Sequence, residues 1–383
     1  MKWENRGHEY DNTYENIKKA KEFYLFGAGD YGKQFVRIFK DEIQIKGFID
    51  NNAKKHGIII EEKKCCSLEE VPKNGTAIIV TMSQIARVEP IEQLKSMGYI
   101  RNKDFFIIEE FISVYFAYKK NQVYLSSISF LPSTICNLNC KKCLNFNPYA
   151  KQFYVREWDD LIQDVDLFFS CVDKIMLFHV SGGEPMLYKH TAELIRYIDK
   201  NYGDRIGTLR TVTNGTVVPK EEVLRVLSEC NVEITVDDYR ETVPRCNDRF
   251  EQLIGKLKEY GIKHYINKAE SWIDLAPDKT DYSDCTDEWL INHRDTCSQS
   301  WQELRDGKLY SCNYAAYATV AGIAGEQDME EVYDLTKYTA EKKKELIEFR
   351  LGYTNKGYTN FCKKCRGFTP DNNIEEVPAE QKN

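Results

Sequence analysis

The sequence predicts an α/β protein in which short strands and amphipathic helices alternate along most of the chain. Two patterns support this prediction. Apolar runs recur and are followed by segments with a helical apolar period, and polar strings rich in glycine or cysteine follow several of the strands. The length of 383 residues, of which 42% are hydrophobic, allows two or three domains with packed cores.

Composition and charge narrow the classes of function. The net charge is −7 with both signs interspersed, so we predict no nucleic-acid partner. No apolar run is as long as a membrane span, and the first residues, MKWENRGHEY, lack the apolar core of a secretory signal. We therefore expect a cytoplasmic protein without a membrane partner. Thirteen cysteines in such a chain favour metal ligation over disulfides.

A glycine-rich turn dominates the N-terminal third. The strand EFYLFG runs into GAGDYG, where Gly27, Gly29 and Gly32 fit G-x-G-x-x-G, and a helix and a second strand ending at Asp50 follow. Such glycines let the backbone turn tightly and approach a phosphate at the helix N-terminus. We predict a Rossmann-like domain over residues 1–120.

The sequence leaves three hypotheses for the ligand of this domain. The string FGAGDYGKQ…GFIDNN…G resembles the N-terminal domain of bacterial sugar acyltransferases. That resemblance implies a nucleotide-sugar ligand held by Gly27, Gly29, Gly32 and Asp50, with Asn51 in place of the second acid of the family. The second hypothesis is that the domain binds NAD, and the third is that it is structural and binds no ligand.

The middle of the chain predicts a parallel sheet, closed or partly closed. Strand and helix candidates alternate from about Tyr124 to Pro277. Sites in such sheets lie at the carboxyl ends of the strands. The polar strings lie there: CNLNCKKC follows the first strand, SGGEP the second and TNGT the third, and Asp237 and Asp238 end the fourth.

The cysteine spacing predicts an iron–sulfur site. Cys136, Cys140 and Cys143 form C-x3-C-x2-C. Three thiolates on one loop can hold three corners of a four-iron cluster, which leaves the fourth iron open to a small chelating molecule. The alternative is a zinc knuckle that lacks one ligand. The next histidine downstream, His179, is too far along the chain to belong to this loop, and we predict that it packs in the core.

C-x3-C-x2-C followed by GGE resembles the radical S-adenosylmethionine (SAM) superfamily. This resemblance implies a partial (β/α)6 TIM-type barrel over residues 121–285, a 4Fe–4S cluster on the three cysteines, and SAM on the open iron. It also implies contacts with SAM from residues at the strand ends and in the cysteine loop: Lys142, Ser181, Gly182, Gly183, Glu184, Thr213 and Asn214. The position of Lys142, which would meet the adenine, is commonly aromatic in the family.

Four later cysteines carry a second pattern. Cys297 and Cys312 flank Gly307 as C-x9-G-x4-C, and Cys362 and Cys365 form C-x2-C. The pattern resembles the Twitch domain, a shortened relative of SPASM, which implies a small C-terminal domain over residues 286–370 with one auxiliary 4Fe–4S cluster. A structural zinc site is the alternative. Residues 371–383 are polar, and we predict that they are disordered.

The resemblance implies that a flavodoxin or ferredoxin reduces the first cluster and that SAM then yields a 5′-deoxyadenosyl radical. That radical takes a hydrogen atom from a substrate carbon. A base and the auxiliary cluster would complete an oxidation, whereas a thiol such as Cys246 or Cys285 would complete an epimerisation. Candidates for the base or for substrate contacts lie at the fourth strand end: Asp237, Asp238 and Tyr239.

We predict a radical SAM oxidoreductase, with epimerase as the second choice, acting on a sugar or cyclitol in carbohydrate or natural-product biosynthesis. We expect the substrate to be a sugar or cyclitol that is free or linked to a nucleotide. A peptide-modifying radical SAM enzyme is the first alternative. An iron–sulfur electron-transfer protein without SAM chemistry is the second.

Overall fold

The computed structural model describes residues 1–84, 86–297, 301–325 and 331–382. These residues form two compact units, one of residues 5–122 and the other of residues 1–4 together with 123–383. We call them the N-terminal unit and the C-terminal unit. In the described parts of the chain, no helix has both the length and the apolarity needed to cross a membrane.

The N-terminal unit is built around a six-stranded sheet in the order β3-β4-β2-β1-β5-β6. All of its strand pairs are parallel except β3 with β4. Its helices and strands are α1 (Asp11–Lys19), β1 (Glu22–Phe26), α2 (Asp30–Phe39), β2 (Ile45–Ile49), β3 (Ile59–Ile60), β4 (Lys63–Cys66), β5 (Thr76–Val80), α3 (Val88–Ser96), β6 (Phe105–Ile107) and α4 (Ile108–Tyr115).

Buried phenylalanines join α2 to α4 on one side of this sheet. Phe35 and Phe39 stack with their ring centroids 4.3 Å apart, and both meet Phe111 edge-on. Edge-to-face pairs of this kind add about 0.5–1.5 kcal/mol each beyond the area that they bury. The helix that follows the glycine turn is therefore held against the sheet.

The C-terminal unit contains an eight-stranded sheet in the order β11-β10-β9-β8-β7-β13-β14-β15. Its elements are β7 (Tyr124–Phe130), α5 (Trp158–Cys171), β8 (Lys174–Val180), α6 (Thr191–Tyr202), β9 (Ile206–Thr213), α7 (Glu221–Ser228), β10 (Val232–Asp237), α8 (Asn247–Glu259), β11 (Lys263–Asn267), β12 (Trp272–Ile273), α9 (Asp287–Thr296), β13 (Glu303–Arg305), β14 (Lys308–Tyr310), α10 (Asn313–Val320), β15 (Val332–Asp334), α11 (Lys343–Arg350) and β16 (Glu375–Glu376).

Strands β7 to β11 are parallel and lie in chain order, which confirms the predicted α/β fold with parallel sheets. Strand β13 joins the sheet beside β7 in the parallel direction, and β14 and β15 continue it antiparallel. The carboxyl ends of the parallel strands therefore meet at one edge of the sheet, next to segments of the C-terminal third.

The β13–β14 hairpin turns at Asp306 and Gly307, as the Asp-Gly pair predicts. Both residues have positive φ (54° and 68°), which a two-residue hairpin loop of this kind requires. The carboxylate of Asp164 on α5 accepts hydrogen bonds from both backbone N–H groups, at 2.8 and 2.6 Å, and also pairs with Arg156. The hairpin is therefore fastened to the helix that follows the cysteine loop.

The final segment of the chain has defined contacts where its polar composition predicts disorder. Strand β16 pairs with β12, and Ala379 is fully buried. Lys141 N–H donates to the Glu380 carbonyl at 2.7 Å, and Lys382 N–H donates to that of Asn139 at 2.6 Å. We call residues 375–382 the C-terminal strap. Residue 383 lies outside the described residues.

Candidate active site

A cavity of about 350 Å³ opens at the carboxyl ends of β7 to β10. Such a volume lies at the low end of the roughly 300–1,000 Å³ range of small-molecule sites. Its lining contains residues of all four predicted strand-end strings, namely Cys136, Cys140, Cys143, Ser181, Gly182, Gly183, Thr213, Asn214, Asp237 and Tyr239. The structure thus brings together most of the residues that the motifs single out, but not Lys142, Glu184 or Asp238.

The sulfurs of the cysteine loop face N–H donors from other segments. Asn214 Nδ2 lies 3.7 Å from Cys136 Sγ, and Gln381 Nε2 of the C-terminal strap lies 3.4 Å from Cys140 Sγ. Burial raises the pKa of Cys136 to about 11 and that of Cys140 to about 12. A bound metal or cluster is therefore needed to hold these side chains as thiolates at neutral pH.

No group of three or more His, Cys, Asp or Glu side chains within the described ranges is placed to hold a single metal ion. An iron–sulfur cluster requires a different spacing, because each thiolate binds its own iron.

The two glycines of SGGEP differ in what surrounds them. A Cβ on Gly183 would lie 2.3 Å from the Thr134 carbonyl oxygen and 2.5 Å from that of Ile135, so only glycine fits against this backbone. A Cβ on Gly182 would approach no atom closer than 3.2 Å. Gly183 thus allows the end of β8 to pack directly on the chain that leads into the cysteines.

Glu184 lies behind the cavity wall and joins the ends of β8 and β9. Its carboxylate accepts hydrogen bonds from Met186 N at 3.0 Å, Thr213 Oγ1 at 2.8 Å and Asn214 N at 2.7 Å. Burial raises the pKa of Glu184 to about 7 in spite of these bonds. In this structure Glu184 positions Thr213 and Asn214, which do line the cavity.

The two aspartates predicted as candidates for the base, Asp237 and Asp238, have different surroundings. Asp237 lines the cavity, and its carboxylate accepts hydrogen bonds from Asn267 Nδ2 at 2.7 Å and Tyr239 Oη at 2.8 Å. Burial raises the pKa of Asp237. Asp238 lies outside the lining and forms a two-pronged ion pair with Arg240, whose hydrogen bonds lower the pKa of Asp238. Asp237 is therefore the better placed carboxylate for chemistry.

Lys142 is directed away from the cavity. Its Nζ lies 2.5 Å from Asp274 Oδ2 and 3.7 Å from Glu376 Oε1 of the C-terminal strap. Its side chain therefore connects the cysteine loop with β16.

The four later cysteines surround one buried region of the C-terminal unit. Burial, and after it the charges of Cys312 and Cys297, raises the pKa of Cys365 far above its usual value. Phe368 N–H donates to Cys297 Sγ at 3.4 Å, and Gly367 N–H donates to Cys365 Sγ at 3.3 Å. Cys362 belongs to the same group, because its charge and those of Cys312 and Cys297 act on the pKa of the neighbouring Arg294.

Arg294 is a cation that lies beside this group of cysteines. Burial acts to lower its pKa, but the charges of the surrounding thiols keep the pKa above its usual value. Its Nη2 donates to the Ser311 carbonyl at 2.9 Å, immediately before Cys312.

Sequence reasoning missed the wall of the cavity that lies towards the C-terminal third. It consists of His179, Trp301, Asn313, Tyr314 and Tyr317, besides Ser129. One signal was available: His179 and Ser181 are two residues apart on β8 and its continuation, so they share a face of the sheet. The approach of α10 could not be read from the sequence, because it depends on the position of β13 beside β7.

The N-terminal unit uses most of its predicted site residues internally. A Cβ on Gly27 would lie 2.7 Å from Met82 Cγ, and one on Gly32 would lie 2.3 Å from the Gly27 carbonyl oxygen. Asp50 accepts hydrogen bonds from Lys55 Nζ at 2.7 Å and from the backbone N–H groups of residues 28 and 52. Packing and turn closure account for these residues, whereas Gly29 borders open space.

Parallel strands whose ends converge on three cysteine thiols and a glycine turn define an α/β protein with a cysteine-held cofactor site. Residues 130–271 match the family model described as Radical SAM superfamily, so the middle of the chain contains a radical SAM domain. The match spans somewhat more than a third of the chain. This superfamily consists of enzymes that use a 4Fe–4S cluster and SAM, which confirms the two cofactors predicted for the first cysteine motif.

Similar solved structures include BtrN in complex with AdoMet and 2-DOIA, at 18% identity and a TM-score of 0.39, over 67% of this chain and 96% of that chain. Native anSMEcpe with bound AdoMet is 14% identical, with a TM-score of 0.40, over 66% of this chain and 94% of that chain. Streptococcus suis SuiB bound to precursor peptide SuiA is 16% identical, with a TM-score of 0.34, over 50% of this chain and 46% of that chain. No curated protein matches the chain.

Proposed function

We propose that this protein is a radical SAM oxidoreductase that oxidises a carbon of a sugar or cyclitol, free or nucleotide-linked. The observation that supports this function most directly is the shared cavity. It is lined by the three cysteine thiols, by the strand-end residues of SGG and TN, and by the buried carboxylate of Asp237.

The residues present fit the two cofactors of the superfamily. Cys136, Cys140 and Cys143 are converging thiols with N–H donors at two of the sulfurs, and they would hold the cluster. Residues of the two strand ends beside them, including Gly182 and Asn214, would hold SAM. When bound, the cluster and SAM supply a 5′-deoxyadenosyl radical that removes a hydrogen atom from an unactivated carbon.

Asp237 is the residue we assign to proton transfer. It lies in the cavity, and Asn267 and Tyr239 fix both of its oxygens, so it holds one orientation. A carboxylate with a raised pKa is a stronger base than one in water, and it accepts the hydroxyl proton when a carbinol carbon is oxidised. The pairing of Asp238 with Arg240 makes Asp238 the weaker base.

The second group of cysteines supports oxidation over epimerisation. Cys297, Cys312, Cys362 and Cys365 can close the shell of an auxiliary 4Fe–4S cluster, which would supply an acceptor for one electron. Tyr314 lines the cavity, and burial, followed by the charges of nearby groups that include Cys312, Cys297 and Cys365, raises its pKa well above the usual value. One aromatic ring therefore borders both the cavity and three of the four cysteines.

A thiol that returns a hydrogen atom is the requirement for epimerisation. Cys246 packs with Leu138, Cys140 and Tyr239 in a buried cluster, and neither Cys246 nor Cys285 is among the described residues that line the cavity. The lining therefore favours Asp237 and an electron acceptor as the completing groups.

The lining of the cavity supports a substrate that carries hydroxyl groups. Serine, threonine, asparagine and tyrosine side chains line it beside Asp237 and can exchange hydrogen bonds with the hydroxyl groups of a ring. The resemblance of the N-terminal third to sugar acyltransferases supports a nucleotide-linked form of that ring. A flavodoxin or ferredoxin is the electron donor we propose.

The test is anaerobic reconstitution followed by turnover with a panel of sugar nucleotides, cyclitols and short peptides, with the products analysed by mass spectrometry. We expect a product two hydrogen atoms lighter than a sugar or cyclitol substrate. In Cys312→Ala we expect SAM cleavage to continue while that product is lost. An unchanged yield of the same product in Cys312→Ala would refute electron acceptance at the second cysteine group.

A further inference from the structure

One wall of the cavity is polar but carries no charged side chain. We define the polar wall as Ser129, His179, Ser181, Asn313 and Tyr317. It lies where β7, β8 and α10 meet. No lysine or arginine is among the described residues that line the cavity.

The two ring nitrogens of His179 have no hydrogen-bond partner within the described parts of the chain. Nδ1 is inaccessible to water. The ring meets Trp301 edge-on, with 5.5 Å between the centroids. Burial, and after it the charge of Arg210, lowers the pKa of His179 to about 4, so the neutral ring presents one donor and one acceptor.

Asn313 contributes a second unpartnered atom. Its Oδ1 is buried and has no hydrogen-bond partner among the residues that the structure describes, and the residue as a whole is only 7% exposed. A buried polar atom left unpaired costs about 1–3 kcal/mol, which favours a turn of these two side chains that brings each atom to a ligand when the site is filled. An acceptor at Asn313 and either role at His179 suit a group that both donates and accepts.

The rest of the wall is held in place from behind. The Tyr317 hydroxyl lies 2.6 Å from Ser129 Oγ, 3.3 Å from Ser181 Oγ and 3.2 Å from the carboxylate of Glu303, which is fully buried. Glu303 also accepts a hydrogen bond from Leu131 N at 2.8 Å. These bonds fix the hydroxyl groups of the wall in a rigid network.

We propose that the polar wall is the substrate subsite and that His179 and Asn313 bind neighbouring hydroxyl groups of a compact, uncharged polyol ring. This assignment rests on the proposed function and specifies its substrate. A hydroxyl donates to Asn313 Oδ1 and exchanges a hydrogen bond with the His179 ring. A phosphate or carboxylate would meet an acceptor and no cation, so any charged part of the substrate lies outside this wall.

The experiment is isothermal titration of the reconstituted, SAM-loaded protein with myo-inositol, glucose and UDP-glucose, and with a short peptide for comparison. We expect at least one polyol to bind. His179→Phe keeps the ring and its contact with Trp301 but removes both nitrogens, and Asn313→Leu removes the acceptor. Each is expected to weaken binding at least tenfold. His264→Phe, on the edge strand β11 and outside the cavity lining, is the matched control and is expected to bind like wild type.

Iron content and the 5′-deoxyadenosine released from SAM are measured on the same samples. If no polyol binds, or if His179→Phe binds like wild type at equal iron content, the substrate assignment is overturned. Continued SAM cleavage in that case leaves the radical SAM function intact. If the wild-type protein released no 5′-deoxyadenosine from SAM, the proposed function itself would be overturned. Binding of the peptide alone would overturn both the subsite and the sugar or cyclitol substrate.

Discussion

Two buried glutamates in the C-terminal unit act through hydrogen bonds to the groups around them. Glu184 fixes the turn after β9, and Glu303 fixes Tyr317 and the chain after β7. Burial raises the pKa of each to about 7. The free energy of unfolding therefore depends on pH, because each of these carboxyl groups has a higher pKa in the folded protein than in the unfolded chain.

The raised pKa of Glu303 predicts that its contribution to the free energy of unfolding decreases as the pH rises. Because its pKa rises from 4.5 to about 7 on folding, the folded protein keeps a proton that the unfolded chain loses in this window. The contribution of Glu303 is complete below about pH 4.5 and falls by about 3 kcal/mol as pH rises through 7. The positive charges of Arg305 and Arg156 oppose the shift and are included in the value of about 7.

Glu303→Gln lacks this titration. We expect the difference in unfolding free energy between wild type and Glu303→Gln to shift against wild type between about pH 5 and about pH 8, as measured by anaerobic urea unfolding. A difference that is the same at both values would show that Glu303 does not hold a proton on folding.

Arg294 predicts a shift in reduction potential. Its charge lies beside the four later cysteines, and the potential of an iron–sulfur cluster falls as the net charge around it becomes more negative. We expect a lower potential for the auxiliary cluster in Arg294→Met and a value near wild type in Arg294→Lys, which keeps the charge. Potentiometric titration followed by electron paramagnetic resonance measures both. Equal potentials in wild type and Arg294→Met would contradict this role.

At the scale of elements, the site depends on two close approaches to the cysteine loop. The end of β8 packs on residues 133–135, where Gly183 N–H donates to the Ser133 carbonyl at 3.0 Å and Glu184 N–H donates to that of Ile135 at 2.6 Å. On another side the C-terminal strap pairs with residues 139–141. The loop that would hold the cluster is thus fixed by backbone bonds to segments distant in sequence.

Adjacent glycines provide a matched test of the first approach. Gly183→Ala places a methyl group 2.3 Å from the Thr134 carbonyl oxygen, so the strand end and the cysteine loop must separate. We expect Gly183→Ala to retain much less iron after reconstitution than wild type. Gly182→Ala meets its nearest atoms at 3.2 and 3.3 Å and is expected to retain most of it. Similar iron contents in the two variants would argue against the close approach.

Removal of the C-terminal strap tests the second approach. Truncation after residue 373 removes the Gln381 N–H at Cys140 Sγ and the buried Ala379. We expect the iron–sulfur absorbance to be lost faster in air and the potential of the first cluster to fall, because hydrogen bonds to the sulfurs raise it.

The control for the strap is Glu380→Gln, which breaks only the exposed ion pair with Lys141. Such pairs contribute about 0–1 kcal/mol, so wild-type behaviour is expected. If the iron–sulfur absorbance of the truncated protein were lost no faster in air than that of Glu380→Gln, the C-terminal strap would not protect the cluster.

At the scale of the whole molecule, the alternation of strands and helices along the sequence predicted the parallel sheet. The position of each polar motif at the end of a strand predicted which motifs lie together. Cys136, Ser181 and Asn214 line one cavity because carboxyl ends of parallel strands share an edge. Side-chain direction was not predictable: Glu184 and Lys142 are near the cavity in sequence but form bonds elsewhere. The C-terminal strap and the polar wall were not predictable either, because they depend on contacts between residues more than a hundred positions apart in the sequence.

The chemistry proposed for the whole molecule depends on the first cysteine motif, which has to hold a cluster that cleaves SAM. The most direct measurement is 5′-deoxyadenosine formed from SAM after dithionite reduction of the anaerobically reconstituted protein, with iron counted per chain. We predict about eight irons per chain, steady release of 5′-deoxyadenosine, and loss of that release with about four irons left in a variant lacking Cys136, Cys140 and Cys143. A protein that binds zinc but no iron, or an iron-loaded protein that leaves SAM intact, would contradict the account.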